Sequence, residues 1–302
     1  MRHALLIVAT LAACGDDSAS GTPDAPALAD AAPADAAEPD ATPDASLVDQ
    51  RPYTLHVPTG YVSGTPTPLV VLLHGYGASG SIQEQYFRFR PVAEAQTWLY
   101  AIPDGTKDAS DRQFWAATNA CCGTGVDDVA YLTAVIDDVA AQYSVDPKRI
   151  YLLGHSNGGF MAHRMACDRA DRIAAIVSLA GATWNDPAAC TPTAPVAVAQ
   201  VHGTADETIL YTGGTAFGVY PSAMTTFSRW SAANGCDQAT ERTTLDLVAA
   251  LAGNETPVLA AQSCTAGGAS ELWTIQGGTH IPAFTPAFVQ SVGEFFAAHA
   301  KP

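Results

Sequence analysis

Residues 149–167, RIYLLGHSNGGFMAHRMAC, constrain this chain more than any other stretch. An unbroken apolar run, RIYLLG, meets a helical pattern, NGGFMAHRMAC, and Ser156 sits where the two join. Gly154 and Gly158 stand two residues to either side, giving G-x-S-x-G. That spacing marks a nucleophile elbow, a sharp strand-to-helix turn that holds a serine in strained backbone geometry with its Oγ exposed. Side chains two residues away would strike the neighbouring strand and helix. The helix N-terminus beside the serine offers positive dipole to a developing oxyanion. Five-residue matches arise by accident in glycine-rich chains, but one between a buried strand and an amphipathic helix seldom does.

Other segments repeat the theme. PLVVLLHG (68–75), TWLYAIPDG (97–105), RIAAIVSLAG (172–181), PVAVAQVHG (195–203) and SELWTIQGG (270–278) are nearly continuous apolar runs, most of them ending in glycine. Continuous rather than alternating hydrophobicity means strands covered on both faces, as in a parallel sheet between helix layers. Helical patterns fall at 127–143, 158–170 and 286–300, the first opening on Asp127 and Asp128, suited to the helix dipole. YTLHVP (53–58) alternates weakly and suits an antiparallel edge strand. Residues 207–268, rich in Thr and Gly with strand-like pieces such as TTLDLVAA, read as an elaboration of the same domain. The expected class is α/β, a mostly parallel sheet with helices on both faces.

A serine hydroxyl is a weak nucleophile that needs a base, and the base needs an orienting acid. In chains with this elbow the order is Ser, acid, His. Of eight histidines, only His280 and His299 follow a plausible acid. His299 falls within the terminal helical pattern, whereas His280 follows a strand and a Gly-Gly loop, at the carboxyl edge where sites form in such sheets. Asp206 follows VAVAQVHGTA and reaches the same edge; spacing alone leaves its neighbour Glu207 open. The expected oxyanion donors are backbone N–H groups of Asn157, after the serine, and Tyr76, in the HGYG loop. His74 reads as a buried hydrogen-bonding residue at the base of that loop. Candidate pocket walls are Tyr76, Phe87, Trp115 and Trp184, with Trp115 and Trp184 singled out for substrate contact. No metal is expected: Cys121-Cys122 lacks a C-x-x-C partner pair, and Asp127-Asp128 reads as a helix opening. No organic cofactor is implied.

Taken in order, HGYG, CCG…VDDVAYL, VDPKRIYLLGHSNGGFMAHRMAC, AAIVSLAG, HGTADE and GGTH resemble the polyhydroxybutyrate depolymerase and feruloyl esterase-like family of secreted α/β-hydrolases. The resemblance covers most of residues 52–299. It implies an α/β-hydrolase fold and an esterase acting on a hydroxyalkanoate, aryl or sugar ester, with Ser156, Asp206 and His280 at the matching triad positions. Members often carry His followed one place later by Trp-Pro; this chain has Ile281-Pro282. Two other readings compete. A prolyl-oligopeptidase-like peptidase would need large extra domains or a basic clamp, neither of which is visible. A non-catalytic surface binding protein on the same scaffold would ordinarily have lost a triad member.

The amino-terminal segment reads differently from the rest. Residues 1–14 join a short basic start to an apolar run ending at Cys14. Ten residues reach only half of a hydrocarbon core about 30 Å thick, so the run suits a secretory signal rather than a membrane span. Small residues before Cys14 resemble a lipobox, with Cys14 as the lipidation site. Residues 15–49, almost entirely Ala, Pro, Asp, Ser and Thr, read as a disordered tether, leaving 50–302 as the catalytic domain. The localisation expected is the cell envelope or the extracellular space, with an ester, possibly polymeric, as partner and membrane contact through Cys14 only. The net charge of −16 and the lack of a Lys/Arg cluster disfavour nucleic acid. The six cysteines beyond Cys14 point to disulfides, and Cys236 and Cys264, flanking one local excursion, suggest one pair.

Overall fold

All six continuous apolar runs form strands of one nine-stranded sheet. The computed structural model describes residues 45–123 and 125–302. In chain order the sheet strands are β1 (Thr54–His56), β2 (Thr67–Leu73), β3 (Leu99–Ile102), β4 (Val145–His155) and β5 (Ala175–Leu179). They continue with β6 (Ala197–Gly203), β7 (Ala239–Leu245), β8 (Thr256–Ala261) and β9 (Ala269–Ile275). Their spatial order is β1-β3-β2-β4-β5-β6-β9-β8-β7. Every pairing from β3 through β9 is parallel. The flanks are antiparallel: β1 on β3, β8 on β9 and β7 on β8. YTLHVP is therefore the antiparallel edge strand that its alternation suggests.

The helices are α1 (Ala45–Gln50), α2 (Gly80–Phe87), α3 (Arg90–Ala95), α4 (Asp128–Gln142), α5 (Asn157–Asp168), α6 (Ala223–Ala233) and α7 (Pro286–Ala298). They bury the two faces of the sheet. Leu69, Val71 and Leu73 of β2 pack with Leu132 and Val135 of α4 and Met161 of α5. Val70 and Leu72, the alternate residues, pack with Phe87 of α2 and Phe288 and Phe296 of α7. Both faces are buried, which is why the central strands read as nearly continuous apolar runs.

Two boundaries move. The stretch 207–268, irregular by composition, contains α6 and the antiparallel strands β7 and β8, which extend the same sheet. Cross-strand pairing orders the weakly patterned ATERTTL of β7, where local propensity could not. Residues 45–49, in the stretch expected to be a tether, lie in α1, whose Leu47 and Val48 pack against the core. The expected signal segment, Cys14 and residues 15–44 of the tether lie outside the described residues. Among the described residues no helix is long and apolar enough to cross a membrane.

The disulfides pair Cys121 with Cys122, Cys167 with Cys190 and Cys236 with Cys264, the last as its flanking position suggests. Asp127 caps α4 by accepting the Ala130 N–H at 2.9 Å. Asp128 does something else. Fully buried, it accepts from Arg51 at 2.7 Å and from the Ala116 N–H at 2.7 Å, which ties the start of the body to the loop beside the elbow.

Candidate active site

At the carboxyl end of β4, Ser156 stands at φ 55° and ψ −120°, a region that L-residues rarely occupy. The surroundings enforce it. A Cβ on Gly154 would collide with the carbonyl of Gly158, and one on Gly158 with the carbonyl of Leu73. The Ser156 N–H is tied to the Leu179 carbonyl at the end of β5, at 2.8 Å.

Two loops from the same edge meet this turn. After β9, the loop through Gly277 and Gly278 brings His280 Nε2 to 3.0 Å from Ser156 Oγ. After β6, Asp206 Oδ2 lies 2.8 Å from His280 Nδ1. A carboxylate only accepts, so Nδ1 carries the proton and Nε2 turns its lone pair to the serine. The other carboxylate oxygen, Oδ1, accepts the N–H groups of Thr208 at 2.8 Å and Ile209 at 2.9 Å. Burial alone would raise the Asp206 pKa, but hydrogen bonds from His202, His280 and Ile209, with the His280 charge, outweigh it and hold the carboxyl well below its usual range. Glu207, left open by spacing, is exposed, and His299 donates to the Phe295 carbonyl at the end of α7.

Among the described residues, the backbone N–H groups of Tyr76 and Asn157 have no protein acceptor, whereas their neighbour Gly77 donates to Gln113. The Gly75 backbone runs beside the elbow: a Cβ placed there would lie 3.5 Å from Ser156 Cβ. His74 has the structural place expected of it. Fully buried, it accepts from the Gly105 N–H at 2.9 Å and donates through Nδ1 to the Gly75 carbonyl at 2.8 Å.

Two pocket-wall assignments are overturned. Trp115 is completely buried: its indole N–H donates to the His74 carbonyl, and its backbone is gripped on both sides by the Asn157 side chain. It braces the HGYG loop from within and presents no open face to a substrate. Phe87 is core as well, packed on Phe288. Trp184 is half-buried in the loop after β5, its carbonyl held by Arg229. Tyr76 is half-buried, and its ring meets Phe217 edge-on with centroids 5.9 Å apart. Phe217, against Tyr76, is 66% exposed, and Ile281, the residue after His280, is 63% exposed; composition singled out neither.

Two further residues hold the histidine loop. His155 Nε2 donates to the His280 carbonyl at 3.0 Å, and the Tyr86 hydroxyl donates to the Pro282 carbonyl at 2.9 Å. Burial, with the nearby His280 charge, pushes the His155 pKa down to about 3, so its ring stays neutral. Its place inside G-x-S-x-G was the one available signal; nothing local marks Tyr86. Among the described residues, no cluster of three or more His, Cys, Asp or Glu could hold a metal ion.

Comparison with known proteins bears on this geometry. The chain is 32% identical over 161 residues to the putative esterase NocK of Nocardia uniformis subsp. tsuyamanensis, covering 52% of this chain and 45% of that protein. It is 29% identical over 239 residues to feruloyl esterase B of Piromyces equi, covering 76% of this chain and 42% of that protein. The chain thus spans less than half the length of either relative. The solved structure of an acetyl xylan esterase from Aspergillus awamori superposes with a TM-score of 0.60 at 15% identity, covering 81% of this chain and 93% of that one, a likeness of fold. The sequence pattern of the α/β hydrolase fold matches residues 68–235. Because that match runs from β2 through the elbow to just past α6, and the sheet has the matching parallel order, this chain belongs to the α/β hydrolase fold family.

Proposed function

We infer that the protein is a carboxylic ester hydrolase working through an acyl-enzyme on Ser156. One observation carries the reading: the hydrogen-bonded run from Ser156 Oγ to His280 Nε2 at 3.0 Å, and from His280 Nδ1 to Asp206 Oδ2 at 2.8 Å, at a strained elbow. His280 takes the Ser156 proton as Oγ attacks the ester carbonyl. The oxygen, now anionic, accepts from the N–H groups of Tyr76 and Asn157, a type of interaction worth about 10²–10³ in turnover per donor. His280 returns the proton to the departing alkoxide. Water, deprotonated by the same nitrogen, then releases the acid and restores the serine.

The relatives named feruloyl esterase and acetyl xylan esterase, with the sequence resemblance, support an aryl, sugar or hydroxyalkanoate ester as the substrate class. Exposed Phe217 and Ile281 favour an ester with an apolar part. Export is supported by the three disulfides and by the amino-terminal pattern ending at Cys14, through which a lipid would hold the enzyme to a membrane at the end of its tether.

The test follows hydrolysis of a short p-nitrophenyl acyl ester, methyl ferulate and a 3-hydroxybutyrate oligomer, each with Ser156→Ala. At least one is cleaved, and the substitution lowers turnover by about 10⁶. A variant keeping a tenth of the activity would overturn the assignment of Ser156.

A further inference from the structure

Asp206 has a second histidine neighbour that the triad does not use. His202, near the end of β6, directs Nε2 to the Ile209 carbonyl at 2.7 Å, with Asp206 Oδ2 at 3.4 Å. Its Nδ1 faces Gln200 Nε2 at 3.3 Å. Gln200 also donates to the Gly181 carbonyl at 2.8 Å, and its oxygen pairs with His163 Nε2 at 2.8 Å. His163 Nδ1 in turn accepts the Trp230 indole N–H at 2.9 Å. Every side chain in this run is buried.

The direction of the chain is dictated from its far end. An indole N–H can only donate, so His163 Nδ1 must carry the lone pair and Nε2 the proton. Burial, against the Gln200 hydrogen bond, lowers the His163 pKa to about 4, which keeps the ring neutral. The His163 N–H needs an acceptor, so Gln200 presents its oxygen there and its amide N–H to His202. An N–H pointing at His202 Nδ1 leaves that nitrogen no room for a proton. The single N–H of His202 therefore lies on Nε2, aimed at Ile209 and Asp206.

The arrangement opposes what Asp206 would otherwise cause. A buried carboxylate 3.4 Å away favours a charged imidazole. A charged His202 would share the field of Asp206 and weaken its hold on a protonated His280. We propose that Trp230, His163 and Gln200 are positioning residues that keep His202 neutral, so that the charge of Asp206 acts on His280 alone; the functional part rests on the ester-hydrolase reading. The titratable groups facing His202 are Asp206, Tyr211, whose ring meets it edge-on at 5.7 Å, and His163 across Gln200. Those facing His280 are Asp206 and His155.

Nitrogen-15 NMR of the full chain labelled at histidine reads His202 directly, with His202→Gln giving the assignment. The result expected is a ring that carries its single proton on Nε2, toward Ile209 and Asp206, near pH 7. A charged or Nδ1-protonated His202 near pH 7 in the unaltered protein overturns the proposal, whether or not the protein cleaves esters. Gln200→Glu replaces the opposing donor with an acceptor. His202 then becomes doubly protonated, and kcat falls about tenfold with KM within about twofold, since ground-state binding is untouched. The loss disappears in the His202→Gln background, which keeps an N–H near Nε2 but has no ring to charge. A penalty of equal size in both backgrounds overturns the proposal, as does unchanged kcat with a charged His202. Should Gln200→Glu fail to fold, Trp230→Phe removes the first donor and keeps the ring, with about a threefold loss expected and the same background dependence. Failure of the ester-hydrolase reading shows separately, as no Ser156-dependent hydrolysis beside an unchanged His202 spectrum.

Discussion

The orientation of Asp206 is set by two backbone donors, and that decides what its amide would do. Oδ1 is occupied by the N–H groups of Thr208 and Ile209, so an asparagine at 206 keeps its oxygen there and turns its NH₂ toward His280. His280 Nδ1 then becomes an acceptor, its proton moves to Nε2, and the nitrogen facing Ser156 can no longer take a proton. In Ser-His-Asp enzymes a wrong tautomer of this kind costs about 10⁴ in kcat. Asp206→Asn is expected to show that loss in steady-state kinetics while the fold persists. Glu207→Gln, at an exposed neighbouring position, is expected to leave kcat within about twofold, as surface substitutions generally do.

Among the elements, those between β6 and β9 depend most on a covalent tie. β7 is a largely exposed edge strand whose neighbour in the sheet is β8, and Cys236, just after α6, is bonded to Cys264, just after β8, with a sequence separation of 28. Releasing a loop of that length returns entropy to the unfolded chain worth roughly 3–4 kcal/mol in the loop-closure picture. Replacing both cysteines by serine is expected to lower the denaturant midpoint, with the slope of the transition rising as the unfolded chain expands. The loops at the opposite edge rely on hydrogen bonds instead. Tyr86 and His155 grip the His280 loop through its carbonyls, so the base is located by main chain as well as by Asp206.

For the molecule as a whole, buried neutral histidines set the response to acid. His155 has its pKa lowered to about 3 and His163 to about 4, both first through burial. Unfolded, each titrates near 6.5. Below that pH the unfolded chain binds protons that the folded chain refuses, so stability falls as pH drops from about 6.5 toward the folded values. The thermal midpoint is expected to be level above about pH 7 and to decline steadily below it, and His155→Gln, which keeps an N–H for the His280 carbonyl, is expected to flatten the decline. By itself the sequence determined the layered α/β sheet, the elbow at Ser156 and the edge on which Asp206 and His280 lie. Continuous apolar runs, flanking glycines and chain order are signals carried along the chain. Only the tertiary structure decided that Trp115 is a brace rather than a pocket wall, that β7 and β8 complete the sheet, and that Tyr86 and His155 hold a loop 196 and 125 positions away. Those facts are contacts between segments remote in sequence, and no local spacing records which face of a loop another element will meet.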